Sequence, residues 1–154
     1  MHETTAVPLC RAALEPGTIF LPVGAAPAQL GFPSPAEDFE EDGLDLNQIL
    51  VRNPLATYIY RASGWSMSGA GILDGDLLVV DRSVTPRSGD VVLATWDGNQ
   101  PACKILQLAE NHLELHSANP DIAPIVLEQD TEVEVFAVVG VARSMKRRPG
   151  RRHG

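Results

Sequence analysis

The part of the chain that most restricts its fold begins after residue 56, where short β-rich runs alternate with turn residues. Turns are indicated at Asp74-Gly75-Asp76, Ser88-Gly89-Asp90 and Asp97-Gly98. Because no helical periodicity separates the runs, they predict a compact, mainly β domain of the sandwich or barrel type. The predicted strands are Thr57–Ala62, Leu77–Val80, Val91–Trp96, Ala102–Leu108, His112–His116, Pro124–Leu127 and Val133–Ala142.

One short helix is predicted before these strands. Asp45 can cap its first turn, and Gln48 follows at the spacing of a capping box. Pro54 ends the segment, which leaves about two turns of helix. The apolar residues expected to face the core are Leu46, Ile49 and Leu50.

The length of 154 residues, 44% of them hydrophobic, suits one domain with chain to spare at both ends. Residues 1–36 are rich in proline and show neither helical nor strand periodicity, so they are interpreted as an extended N-terminal arm that holds no helix-turn-helix pattern. Sequence-specific DNA binding is therefore not expected. Residues 37–145 form the predicted β-rich domain, and residues 146–154 a basic disordered tail.

Charge and composition exclude several classes of protein. The net charge is −8, and five of the 12 basic residues lie in the tail, so the body of the chain is too acidic to hold nucleic acid tightly. No apolar stretch is long enough to cross a membrane and no signal peptide is evident, which predicts a cytoplasmic protein. Cys10 and Cys103 are expected to be reduced, and His112 and His116 alone do not make a metal site.

Lys104 is the first candidate for chemistry. Alternation in its strand places it on the same face as Ala102, Leu106 and Leu108. Removal of an ammonium group from water favours the neutral amine, which can act as a general base near neutral pH. A strand-edge lysine can instead bend its amine out to water, so this strand alone leaves both interpretations open.

Ser66 is the second candidate. It lies in the segment Ser63–Gly69, where a strand leaves the sheet through glycine-rich chain. Such a bend can expose a serine hydroxyl and leave backbone N–H groups free to bind an oxyanion. Ser63 and Ser68 compete for the same role, and serine and glycine are common in ordinary loops.

Together with their surroundings, Ser66 and Lys104 resemble the LexA/UmuD family of self-cleaving serine-lysine proteins, and within it the UmuD type. The resemblance covers most of the chain, from about Gly31 to Met145. Several motifs in the order of the family make the signal specific. These stretches are Gly31–Ala36, Asp45–Leu50, Ala62–Gly64, Ser66-Met67, Gly71-Ile72, Asp74–Asp81, Gly89–Val92 and Pro124-Ile125.

The resemblance implies a β-rich peptidase domain of the LexA/UmuD type in which Ser66 is the nucleophile and Lys104 the general base. It places the scissile bond between Leu30 and Gly31, at the end of the arm. It further implies a role in the SOS response to DNA damage, in which a RecA filament on single-stranded DNA stimulates self-cleavage. The processed homodimer would then join a UmuC-type polymerase in translesion synthesis, and no cofactor is implied. The long apolar strand Val133–Ala142 also favours a homodimer, because its edge would otherwise invite nonspecific pairing.

Two alternatives remain open at this point. Family members usually have alanine or cysteine where this chain has Leu30, and UmuD has an acidic residue where this chain has Trp65. These differences allow a non-cleaving binding module that regulates a polymerase through the same fold. A signal-peptidase-like enzyme acting on other proteins is the second alternative, against which the lack of a membrane span argues.

Overall fold

The computed structural model describes residues 3–12, 20–21 and 44–145. Short helical segments lie before and after the fourth strand: α1 (Leu46–Leu50) and two 3₁₀ turns, Pro54–Ala56 and Ser68–Ala70. No helix of the described residues is long and apolar enough to cross a membrane. The strands are β1 (Thr5–Arg11), β2 (Phe20–Leu21), β3 (Leu44–Asp45), β4 (Thr57–Ser63), β5 (Leu77–Asp81), β6 (Val91–Trp96), β7 (Ala102–Leu108), β8 (His112–His116), β9 (Ile125–Glu128) and β10 (Val133–Ala142).

Six strands form a closed antiparallel ring in the order β1, β4, β5, β10, β6, β7. Strands β8 and β9 extend the sheet beyond β7, while β2 and β3 form a separate pair. The ring closes where Thr5 of β1 pairs with Ala102 of β7. Two hydrogen bonds flank this pair, from Ala6 N to Pro101 O at 2.9 Å and from Cys103 N to Thr4 O at 2.8 Å. The first residues of the chain therefore complete the barrel.

The apolar core has two parts, one on each face of β6. Leu93 packs into the first cluster, whereas Val92 and Ala94 pack into the second, as the alternation of a strand requires. The first cluster includes Met67, directly after Ser66, and the second includes Leu106 of β7. Both candidate catalytic residues are thus anchored by neighbours in a packed core.

The predicted fold class is confirmed, since the described residues are mainly antiparallel β structure. All seven predicted strands are present, with ends that differ by one residue at most. Gly75, Gly89 and Gly98 have positive φ angles of 86°, 94° and 70°, as expected for turn glycines. Local patterning was therefore a sufficient guide to this part of the chain.

The predicted helix is present but differs in detail. Asp45 caps it by accepting a hydrogen bond from Asn47 N at 3.0 Å. The helix has only five residues, and the side chains of Leu46 and Ile49 are about half exposed, so the expectation that they face the core is wrong. Leu50 does approach the sheet, as shown by the distance of 3.1 Å between Leu50 Cδ2 and a Cβ built on Gly140 of β10.

Strand β1 lies inside the proposed arm, residues 1–36, whose sequence shows no strand periodicity. It pairs with β4 from Thr5↔Ser63 to Arg11↔Tyr58, with a register shift between Pro8 and Cys10. Proline at this position interrupts the alternation that a strand normally shows. The long-range partner, rather than the local sequence, therefore determines that these residues form a strand.

The long strand β10 does not lie at the edge of the sheet. Residues 133–137 pair with β6 and residues 137–142 with β5. The terminal strand of the sheet is instead β9. An unpaired β10 edge consequently gives no reason to expect a homodimer.

Candidate active site

The segment that carries Ser66 leaves the barrel at the end of β4. Gly64 turns the chain with a φ of +105°, after which Ser66 and Met67 are completely buried. Ser63 and Ser68, the competing serines, are both exposed. The structure therefore favours Ser66 as the serine whose hydroxyl lies within a site.

Lys104 lies on β7 with its side chain completely buried. Ala102 and Leu106 are buried on the same face, whereas Leu108, at the end of the strand, is exposed. The Lys104 amine does not reach water. Instead it donates hydrogen bonds to Ser117 Oγ at 2.8 Å and to Glu3 Oε1 at 2.9 Å.

Two pairs of consecutive residues bring Ser66 and Lys104 together. In the first pair, Ser117 contacts the Lys104 amine while Ala118 N donates to Ser66 O at 3.0 Å. In the second, Glu3 contacts the Lys104 amine and Thr4 contacts the Ser66 hydroxyl. Because consecutive Cα atoms are about 3.8 Å apart, these shared neighbours place the serine and the lysine in one site.

Two glycines permit these close approaches. A Cβ built on Gly64 would lie 2.6 Å from Glu3 O, and one built on Gly69 would lie 2.5 Å from Ala118 O. Both distances are too short for real atoms in contact, so any side chain at either position would push the neighbouring segment away. The glycine-rich character of this segment is therefore explained by packing around Ser66.

The Ser66 hydroxyl is held by Thr4. Thr4 N donates to Ser66 Oγ at 2.7 Å, and the hydroxyl donates to Thr4 Oγ1 at 3.0 Å. The same Thr4 Oγ1 accepts a hydrogen bond from Met67 N at 3.2 Å. The site thus combines a serine hydroxyl, a buried amine and a backbone N–H donor, the groups that acyl transfer requires.

Cys103 lies next to Lys104 but is a poor nucleophile. Burial raises the pKa of its thiol to about 12, although the charge of Lys104 acts in the opposite direction. A thiol reacts through its thiolate, which is scarce at neutral pH when the pKa is this high. Ser66 is the better candidate.

Asp76 and Arg143 clamp the segment that follows Ser66. Asp76 is buried and accepts hydrogen bonds from Arg143 Nε at 2.8 Å, from Arg143 Nη2 at 2.9 Å and from Leu73 N at 2.7 Å. Arg143 Nη2 also donates to Gly71 O at 2.6 Å. This two-point contact ties the residues after β10 to the loop that supports the nucleophile.

Replacement of Arg143 by alanine is expected to lower the free energy of unfolding by about 2 kcal/mol. The reason is that a buried Asp76 carboxylate loses its cation, and the loss is moderated because the Arg143 side chain is 35% exposed. Urea denaturation measures the change. Arg87→Ala, at an exposed position, is the control and should stay within about 0.5 kcal/mol of wild type. Equal stability of the two variants would contradict the clamp.

Sequence patterns did not indicate Glu3, Thr4 or Ser117 as site residues. Ser117 directly follows β8, a position at which serine is too common to be informative. Leu30, Gly31 and the basic tail lie outside the described residues. Within the described ranges, no group of three or more His, Cys, Asp and Glu residues could hold a metal ion.

Comparison with known proteins identifies the family. Residues 22–140 match the family described as Peptidase S24-like, so the chain belongs to that family of peptidases. This confirms the resemblance to the LexA/UmuD family.

Individual relatives agree with this assignment. Protein ImpA of Salmonella typhimurium is 42% identical over 118 residues, which cover 77% of this chain and 79% of ImpA. Protein MucA of Escherichia coli is 43% identical over 110 residues, 71% of this chain and 74% of MucA. The LexA repressor of Bordetella petrii is 36% identical over 141 residues, 91% of this chain but only 60% of the repressor.

Proposed function

We propose that this chain is a self-cleaving serine-lysine peptidase of the UmuD type that cuts its own Leu30–Gly31 bond. The observation that carries this proposal is the buried pair Ser66 and Lys104, each contacted by the same two pairs of consecutive residues. Membership of the Peptidase S24-like family supports the same chemistry.

In the proposed reaction, the neutral Lys104 amine takes the proton of the Ser66 hydroxyl, and Oγ attacks the carbonyl carbon of Leu30. The Met67 N–H is a donor for the negative oxygen that develops. Lys104 then returns the proton to the amine of Gly31 as that bond breaks, and water hydrolyses the remaining ester. Ser117 would hold the Lys104 amine in place throughout.

The length of the chain is compatible with cleavage within one molecule. Leu21 is paired with Leu44, and Leu30 is the ninth residue after Leu21. Fully extended, nine residues span about 30 Å, which is comparable with the size of a domain of this length. The reaction would also benefit from the high effective concentration of a tethered substrate.

The biological role that we propose follows the UmuD type: an SOS-response protein, stimulated by a RecA filament on single-stranded DNA, that regulates a UmuC-type translesion polymerase as a homodimer. The similarity to ImpA and MucA over most of their length supports this assignment. Exposed apolar side chains support the dimer, since Ile49 and Val139 are each about half exposed and line one cavity of about 490 Å³.

The non-cleaving binding module is the second candidate. Trp65 supports it, because this large side chain is 51% exposed and lines a surface cavity together with Glu3 and Ser63. Retention of Ser66, Lys104 and Ser117 in one buried site argues for cleavage, since a pure binding module has no need of them.

Incubation of the purified chain with RecA filaments on single-stranded DNA is expected to yield two fragments, of 30 and 154 − 30 = 124 residues. Intact-mass spectrometry measures both. The control is the same incubation without RecA, in which cleavage should be slower. An intact chain under all conditions, including alkaline pH, would favour the binding module, and fragments of other masses would place the scissile bond elsewhere.

A further inference from the structure

We propose that Glu3 and Thr4 form a built-in inhibitor of the peptidase site, so that the start of β1 must leave before the Leu30–Gly31 bond can be cut. This inference rests on the proposed function and adds a regulatory step to it. Its basis is that each of these two consecutive residues contacts a group that the reaction requires.

Thr4 holds the hydroxyl of the nucleophile, Ser66, by two hydrogen bonds. Its backbone N–H donates to Ser66 Oγ at 2.7 Å, and the Ser66 hydroxyl gives its own proton to Thr4 Oγ1 at 3.0 Å. In the productive arrangement that proton must be directed at the lysine amine. The serine therefore cannot react while Thr4 holds it in this way.

The chain segment that contains Thr4 is also oriented as an inhibitor and not as a substrate. Ser66 Oγ receives a hydrogen bond from the amide nitrogen of Thr4, whereas attack requires the oxygen to approach a carbonyl carbon. Thr4 Oγ1 also accepts a hydrogen bond from Met67 N, a donor that a developing oxyanion would need. The inhibiting segment should thus remain uncut.

Glu3 forms an ion pair with the general base, Lys104. Its carboxylate oxygen lies 2.9 Å from Lys104 Nζ, and a neighbouring carboxylate favours the ammonium form of a lysine. Only the neutral amine can accept the serine proton. The Glu3 side chain is 47% exposed on its other side, so this ion pair can open towards solvent.

The backbone of the same residues fills the gap through which a substrate segment would enter. Residues 4–6 lie between β4 and β7, with Cys103 N donating to Thr4 O and Ala6 N donating to Pro101 O. On the β7 side the strand pairing is limited to Thr5 and Ala102, whereas on the β4 side it extends to Arg11. The inhibiting end can therefore separate from β7 while the rest of β1 stays paired.

The test compares full-length Glu3→Gln, Thr4→Val and the double variant with wild type, and uses Glu110→Gln, an exposed acid in the turn after β7, as the control. Self-cleavage without RecA is followed by intact-mass spectrometry. Glu3→Gln keeps an oxygen that can accept from Lys104 Nζ but removes the carboxylate charge, and this weaker hold on the base should raise the cleavage rate about tenfold. The double variant should be faster still, and Glu110→Gln should match wild type.

A second readout does not depend on cleavage: the rate at which a small fluorophosphonate labels Ser66, with Ser66→Ala as the blank. If no variant cleaves itself, either with RecA filaments or without them, the proposed self-cleavage fails, and the labelling rate alone decides whether the inhibitor exists. Faster labelling of Glu3→Gln than of Glu110→Gln supports it. Equal labelling rates of Glu3→Gln and Glu110→Gln, in a Glu3→Gln variant with a wild-type melting curve, would overturn it. Where the chains do cleave themselves, equal cleavage rates of these two variants would overturn it as well. If Thr4→Val fails to fold, the comparison of Glu3→Gln with Glu110→Gln is sufficient, because Glu3 is half exposed and tolerates the change.

Discussion

Replacement of Ser66 by alanine is expected to reduce self-cleavage at least about a thousandfold, because the proposed reaction proceeds through the Ser66 hydroxyl. The two nearby serines are exposed, and the Cys103 thiol has a pKa raised to about 12 by burial, against the opposing charge of Lys104. The measurement is the rate at which the 30-residue and 124-residue fragments appear by mass spectrometry. Alanine fits the space of a buried serine, so the barrel should stay folded.

Ser63→Ala and Ser68→Ala are matched controls for this variant. Each removes one hydroxyl from the same glycine-rich segment, within three residues of Ser66, at an exposed position. Both should cleave at the wild-type rate. A Ser66→Ala chain that still cuts itself, or a Ser63→Ala or Ser68→Ala chain that does not, would mean that the nucleophile is misassigned.

Replacement of Lys104 by methionine is expected to lower the cleavage rate by a factor of about 10² to 10⁴, the contribution that a general base typically makes. Methionine has a similar shape and fills the buried space without an amine, so the loss of rate should not reflect a cavity. The rate at which the 30-residue and 124-residue fragments appear tests this expectation.

The sequence offers a precise control, since Lys146 is the only other lysine and lies in the basic tail. Lys146→Met should retain the wild-type rate. Lys104→Arg should be inactive, because a guanidinium keeps its proton. A Lys104→Met or Lys104→Arg chain with the wild-type rate would show that another group acts as the base.

The strands from β4 to β10 could be predicted from local patterns alone. Period-two alternation and turn dipeptides are properties of neighbouring residues, so they mark strands such as β6 and the turn at Asp97-Gly98 without knowledge of partners. Strand β1 could not be predicted in the same way. Pro8 interrupts its pattern, and pairing with β4, some fifty residues away, stabilises it.

In the candidate site, too, some features could be predicted from the sequence and others only from the structure. The residue types and their order suggested Ser66 and Lys104, because few other positions combine a serine in glycine-rich chain with a lysine in an apolar strand. Exposure of Ser63 and Ser68 became visible only in the structure, as did the contacts from Ser117 and Thr4. A contact between a hydroxyl and an amine more than ten residues apart in the chain produces no periodic pattern in the sequence.

The sequence by itself therefore determined the fold class, the strands after residue 56, the family and the two residues proposed for chemistry, because these depend on local periodicity and on motifs in order. Only the tertiary structure decided that β10 lies within the sheet, that Leu46 and Ile49 are exposed, and that Arg143 pairs with Asp76. The tertiary structure also decided that Glu3 contacts Lys104 and that Thr4 contacts Ser66. The physical reason is that burial and hydrogen-bond partners are fixed by closure of the barrel, which joins segments about one hundred residues apart in the chain.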